Sequence, residues 1–304
     1  MAFTAKDVAE LRKQTGCGMM DCKKALTEAG GDFEAAVKFL REKGMAATAK
    51  KADRIAAEGI VDILTIGNTT AMVEVNSETD FVAKNQTFKD FVKEILKTII
   101  ENKPADVDAL LAGAYVAGGT VAEALAEQIY KIGEKISIRR FARYECGENG
   151  YVDSYIHMGG KVGVLVKAEV PEVNDTVKEV LHDVALQIAA ASPVAPEYVT
   201  RDQVNPDHLN HETEILAAQA RNEGKPEKII EKMVQGRINK FYQEVCLVEQ
   251  IFVKDGETPV GKMIEKKVPG MKIAAFTRYK MGDGLEKKVS DLAAEVAEQI
   301  GGKA

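Results

Sequence analysis

Cysteine is scarce and scattered. Cys17, Cys22, Cys146 and Cys246 are the four in the chain, no two of them form a CxxC pair, and the four histidines lie elsewhere without metal-ligand spacing. Reduced thiols and no metal site are the expectation. Long apolar runs are missing as well: none approaches the roughly 20 residues of a membrane span. The opening MAFTAKDVAEL has neither the apolar h-region of a signal peptide nor an Arg/Ser-rich transit character. A mature, soluble, cytoplasmic protein is expected, without a membrane partner. Positive charge is not in excess either, since 41 Lys and Arg leave a net charge of −6. That balance argues against a surface that tracks phosphates along its whole length, although a local basic patch passes the same test. A protein partner is expected and direct nucleic-acid binding is not.

The familiar catalytic motifs are absent: GxSxG, HExxH and a complete GxxxxGK[ST] do not occur. In GAYVAGGT, Gly113 to Thr120, Gly119 occupies the place of the phosphate-binding lysine, so the stretch reads as a loop. GCGMMD, Gly16 to Asp21, begins like GxGxxG but lacks the third glycine and follows a helix instead of a strand. No enzyme active site and no cofactor are expected.

What is present is enough apolar material, 45% of 304 residues, for a sizeable core in two or three domains. Thr4 with Asp7 reads as a helix N-cap, and Phe3 and Val8 hold the positions of a hydrophobic staple. That first helix should stop at Thr15 to Gly18, where Gly16 and Gly18 tolerate positive φ. A second helix spans about Met20 to Ala29. A third starts at Asp32, with Phe33, Ala36, Val37 and Leu40 on one face, and ends at Gly44. The Ala- and Lys-rich MAATAKKADRIAAEG that follows reads as a linker helix with little core.

From Gly59 the period changes. GIVDILTI and AMVEVN, joined by GNTT, read as a β-hairpin from Gly59 to Asn76. A helix from Phe88 to about Ile100 then carries Phe88, Phe91, Val92, Ile95, Leu96 and Ile99 on one face. The unit recurs: Gly59-x-Val61-Asp62 reappears as Gly150-x-Val152-Asp153, an offset of 91, and Thr176 to Ala190 supplies the helix. Ile138, Phe141, Arg143, Tyr144 and Gly147 likewise match Ile273, Phe276, Arg278, Tyr279 and Gly282 at an offset of 135. The pattern predicts an α+β fold of two related subdomains, each a small antiparallel sheet covered by helices on one face. The offsets differ by 44 residues, so the second copy carries an insertion between its helix and its last strand. That insertion reads as an αα-hairpin, about residues 197–246, broken at NEGKP and carrying a narrow apolar stripe that calls for a partner surface. A last helix is expected over 283–304, with Leu285, Val289, Leu292, Ala293 and Val296 on its apolar face.

One stretch does not fit a purely structural reading. In EVNSETDFVAKN, Glu74 to Asn85, a strand runs into a polar turn that thrusts Phe81 forward. Phe81 and Val82 tucked beneath the hairpin, with Asp80 capping the next helix, is the alternative. EVNSETDFVAK and LRKQTGCGMMDCKKAL, Leu11 to Leu26, closely resemble the two signature segments of the bacterial elongation factor Ts family, and the resemblance extends over essentially the whole chain. It implies no enzyme but a guanine-nucleotide exchange factor for elongation factor Tu. The implied fold has a ubiquitin-associated-like helical domain with its linker helix over 1–54 and core subdomains over 55–147 and 148–282. The second subdomain contains a helical-hairpin dimerisation module, and a C-terminal helical module follows.

Carried over by the resemblance, Asp80 and Phe81, flanked by Thr79 and Val82, enter near the partner's Mg²⁺ site with Phe81 as a wedge between helices. Arg12, Met19 and Met20 face the partner's GTPase domain; for the two methionines, bundle core is the competing reading. Ile132 and Gly133 match a further core contact, and His157 one that faces the partner's last β domain. Two rival readings remain open on the sequence: an RNA- or ribosome-binding module using KKADR and the N-terminal bundle, and a cysteine-based redox enzyme.

Overall fold

The computed structural model describes residues 3–224 and 226–286. Helix α1 (Ala5–Thr15) opens with the reciprocal cap that the spacing predicts: the Asp7 carboxylate accepts the Thr4 amide at 2.6 Å, and the Thr4 hydroxyl accepts the Asp7 amide at 3.4 Å. Phe3 and Val8 join the bundle core. Gly16, at φ +68°, ends the helix in the left-handed region. Gly18 does not act as a second stop, because at φ −60° it is the extended residue that starts α2 (Met19–Glu28). Asp32 caps α3 (Phe33–Lys51) by accepting the Ala35 amide at 2.8 Å.

Beyond the bundle come the hairpin β1 (Glu58–Ile66) and β2 (Thr69–Ser77), the short α4 (Asp80–Lys84), α5 (Gln86–Asn102), α6 (Val107–Ala112), α7 (Val121–Ile132) and β3 (Ile136–Glu145). The six apolar residues expected on one face of α5 are all buried. The second half contributes β4 (Gly150–His157), β5 (Val162–Glu169), α8 (Asp175–Ala190), α9 (Pro206–Asn222), α10 (Glu227–Val245), α11 (Val260–Lys267) and β6 (Lys272–Lys280). The fold is α+β, with two three-stranded sheets of order β1-β2-β3 and β4-β5-β6. The β4–β5 pair is antiparallel and sets Gly150 opposite Glu169 and His157 opposite Val162.

The described residues divide into two compact units. One takes those up to Leu64, Val73–Phe141 and those from Lys280 on; the other takes Thr65–Met72 and Ala142–Tyr279. In the second unit Val162, Val164, Val166 and Ala168 alternate along β5 and meet Val177, Leu181, Val184 and Ile188 of α8, with Val260 and Ile264 of α11 in the same core. A strand of period two and a helix of period 3.6 thus close on each other, as the repeat predicts.

Three features depart from the sequence reading. Helix α3 does not end at Gly44 but runs through the Ala- and Lys-rich stretch to Lys51, so the third bundle helix and the linker helix are one element. Gly44 is buried within it, and a Cβ there would stand 3.2 Å from the Ala126 carbonyl oxygen of α7. The glycine seats one helix against another instead of stopping one. Helices α6, α7 and α11 stand where the sequence reading places no element, although Thr120 and Glu123 form a second capping box in the sequence itself. Helices α9 and α10 pack on each other and bury Ala220, Ile230 and Ile238, while Ile215 and Ile229 stay exposed, so the apolar stripe is partly satisfied within the hairpin. Of the expected closing helix, Leu285 lies in a bend after β6, and Val289, Leu292, Ala293 and Val296 lie outside the described residues.

Candidate functional site

Every residue of β2 is buried, including the carboxylate of Glu74. A buried charge persists only when paired and hydrogen-bonded. Glu74 meets Arg139 at 3.0 Å and Arg140 at 2.6 Å, and it accepts the Gly282 amide at 2.8 Å and the Asn76 side-chain amide at 3.3 Å. The strand that leads into the polar turn is therefore pinned before the turn begins.

The turn is clasped in its own right. Glu134 accepts the amides of Glu78 and Thr79 at 3.1 and 3.0 Å on one oxygen and the Thr79 hydroxyl at 2.7 Å on the other. Glu78 in return accepts the Lys135 amide at 2.6 Å and the Arg54 guanidinium at 3.2 Å. The N-cap of α4 is Thr79, not Asp80: its hydroxyl accepts the Val82 amide at 3.4 Å, while Asp80 pairs with Lys84 at 2.6 Å. Asn85 then caps α5 through the Thr87 amide at 2.8 Å. Between these fixed points Ala83 is buried, Val82 half-buried, and Phe81 is 80% exposed. The alternative in which Phe81 belongs to the core fails on that exposure.

Ile132 and Gly133 close α7. Gly133, at φ +84°, turns the chain so that Glu134 follows at once and reaches the Thr79 turn. The same end of α7 carries the N-terminal bundle: Tyr130 packs on the bundle core, and a Cβ at Gly16 would stand 3.1 Å from the Lys131 side chain. Lys51 donates to the Ile129 carbonyl at 3.4 Å, and Lys135 donates to the Ala52 and Arg54 carbonyls at 2.5 and 2.8 Å. Burial holds the Lys51 ammonium below the usual lysine range. Of KKADR, then, Lys51 and Arg54 are engaged within the unit. On the bundle Met19 is 44% and Met20 74% exposed, so neither is core, and Arg12 is exposed on the last turn of α1.

His157 belongs to the second unit and has its own setting. It ends β4 exposed, with its Nδ1 3.1 Å from the Tyr155 hydroxyl. The next residue, Met158, combines φ +50° with 73% exposure, a conformation L-residues rarely adopt. Neither Met158 nor Glu134 stands out in the sequence. A methionine in a glycine-rich turn is the available signal for the first, and a glutamate directly after a helix-ending glycine for the second.

All four cysteines are buried and free, and burial pushes the thiols of Cys17, Cys146 and Cys246 up, the last to about 11. An activated thiolate requires the opposite shift. Among the described residues no group of three or more His, Cys, Asp or Glu is placed to hold a metal, and no helix is long and apolar enough to cross a membrane.

A family model described as Elongation factor TS matches residues 78–283, about two thirds of the chain. The chain belongs to that family. The match begins at Glu78, the first residue clasped by Glu134, and takes in Thr79, Asp80, Phe81, Val82, Ile132, Gly133 and His157; Arg12, Met19 and Met20 precede it. Membership of the Elongation factor TS family implies a nucleotide-exchange factor that binds elongation factor Tu in translation elongation.

Proposed function

We propose that this chain releases GDP from elongation factor Tu by inserting Phe81 between helices of the GTPase domain, beside the Mg²⁺ and phosphate site. The observation that carries the reading is a phenyl ring 80% exposed on a turn whose backbone is held at Glu78 and Thr79. Burying such a ring in a partner is worth about 2–3 kcal/mol. Set on a fixed turn, that energy is available to push neighbouring helices apart instead of ordering the wedge. Displacing them spoils the near-octahedral oxygen geometry that Mg²⁺ demands, and the phosphates lose some of their neutralisation.

Asp80 enters with Phe81, flanked by Thr79 and Val82. Ile132 and Gly133, held beside the turn through Glu134, extend the same surface. Arg12, Met19 and Met20 add contacts from the bundle, methionine suiting a partner that changes shape. His157 engages the partner's last β domain. Coupling is reciprocal: the factor by which this protein weakens nucleotide binding is the factor by which nucleotide weakens its own, so GTP entry ejects it. We assign the action to the cytoplasm, with no covalent step.

Release of a fluorescent GDP from elongation factor Tu tests the reading. The wild-type chain accelerates release, and Phe81→Ala loses most of that acceleration. No acceleration by the wild type sinks the exchange reading; equal acceleration by both sinks the wedge.

A further inference from the structure

We infer that Glu134 is a positioning residue for Phe81, an inference that rests on the exchange reading above. The exposed ring has no core packing to orient it, so its direction is set by the backbone from which it projects. The Ser77 hydroxyl donates to the Thr79 carbonyl at 3.0 Å, and the larger share of the hold comes from Glu134, which takes two successive amides, Glu78 and Thr79, and the Thr79 hydroxyl. The hydroxyl, having donated to Glu134, accepts the Val82 amide and so starts the five-residue helix that carries Phe81. A helix that short does not sustain itself, because the nucleation cost exceeds what one turn of hydrogen bonds returns.

The bond set is also reciprocal, since Glu78 accepts the amide of Lys135, the residue after Glu134. Two carboxylates of adjoining segments each grip the other's backbone. Ile132, Gly133 and Phe81 are thereby carried on one rigid piece. Removing Glu134 takes away the acceptor of two backbone amides and of the Thr79 hydroxyl. It frees the Thr79 hydroxyl and leaves the turn to be ordered at the moment of docking, which lowers the fraction of productive encounters.

The experiment compares stimulated GDP release at a factor concentration well below saturation for wild type, Glu134→Ala, Glu134→Gln, Thr79→Val, Phe81→Ala and the double variant Glu134→Ala/Phe81→Ala, each with its thermal midpoint. Glu134→Ala slows stimulated release about tenfold or more, in line with the sensitivity of such steps to small misplacements. Glu134→Gln keeps an acceptor oxygen for the two amides and stays within about threefold of wild type. Thr79→Val, a near-isostere, gives an intermediate loss and stands in if Glu134→Ala does not fold. In the Phe81→Ala background Glu134→Ala adds nothing further, the non-additivity of residues acting through one another. A role confined to stability would lower the midpoint and leave the two losses additive. Additive losses, or wild-type rates from both Glu134→Ala and Thr79→Val, overturn the inference while exchange stands. A wild-type chain that does not accelerate release removes both.

Discussion

Strands β1 and β4 begin with the same pattern, Gly59-x-Val61-Asp62 and Gly150-x-Val152-Asp153, and the fold uses it in two ways. Gly59 lies at φ +133°, and a Cβ would fall 2.2 Å from the Val75 carbonyl oxygen; at Gly150 the nearest atom would be the Cys146 sulfur at 3.4 Å, an ordinary contact. Asp62 bonds the Ile63 amide at 2.9 Å, and burial pushes its carboxyl up, whereas Asp153 meets His182 at 2.9 Å. The buried polar centres differ as well. Around β2 a charged carboxylate joins two arginines, while in the second unit Gln187 and Gln250 bond each other at 3.1 Å and tie the Ile251 carbonyl and Val253 amide. Only the first hairpin leads into a clasped turn with an exposed aromatic; the second leads into Val170 and Pro171. The same short pattern stands in a strand in both places, and the side chains that differ decide which hairpin leads into the clasped turn.

Glu74→Ala leaves Arg139, Arg140 and the Gly282 amide without their carboxylate and should cost on the order of 3–5 kcal/mol by urea denaturation. A loss below that of any neutral polar substitution would show that the charged centre is not the stronger one. Gly59→Ala should cost roughly 3 kcal/mol, combining collision with left-handed strain, against less than about 1 kcal/mol for Gly150→Ala. Equal costs would erase the distinction between the two strands. Gln187→Met keeps the volume, strands neutral groups only and should cost about 1–3 kcal/mol.

The smallest effect is one of pH. The folded state raises the Asp62 pKa above its ordinary value, so the ionised group opposes folding at neutral pH. That penalty vanishes as the pH falls through the raised folded value toward the unfolded value of about 3.9. Asp62→Asn should therefore raise the urea midpoint slightly at pH 7, with the gain closing below about pH 4. Asp153→Asn, which keeps an acceptor for His182 but removes the carboxylate charge, should show no such gain. A pH-independent Asp62→Asn effect would contradict the burial account.

Caps, hairpins and the offset between copies are legible because each depends on a few residues at fixed spacing. The Thr4–Asp7 cap and the buried face of α5 follow from period and propensity alone. Gly44 misleads because a helical glycine looks the same in sequence whether it ends a helix or admits a neighbour, and only α7 decides which. The N-cap is Thr79 and not Asp80, and its hydroxyl also bonds Glu134, 55 residues away, a contact no local pattern encodes. Phe81, Met19 and Met20 can be named from sequence, but their exposure is a property of packing that no local pattern encodes.

Helix α3 runs unbroken from Phe33 to Lys51. Its 19 residues span about 28 Å at 1.5 Å per residue, with Gly44 seated on α7 past the midpoint. The bundle bearing Met20 and the turn bearing Phe81 are both mounted on the last turn of α7 and Glu134 just past it, so their separation is set by a strut and not by a tether. For a protein that touches one and then the other, the second encounter is no longer a search. Its effective concentration is fixed by geometry, and the entropy that a loose linker would surrender at docking has already been surrendered in folding.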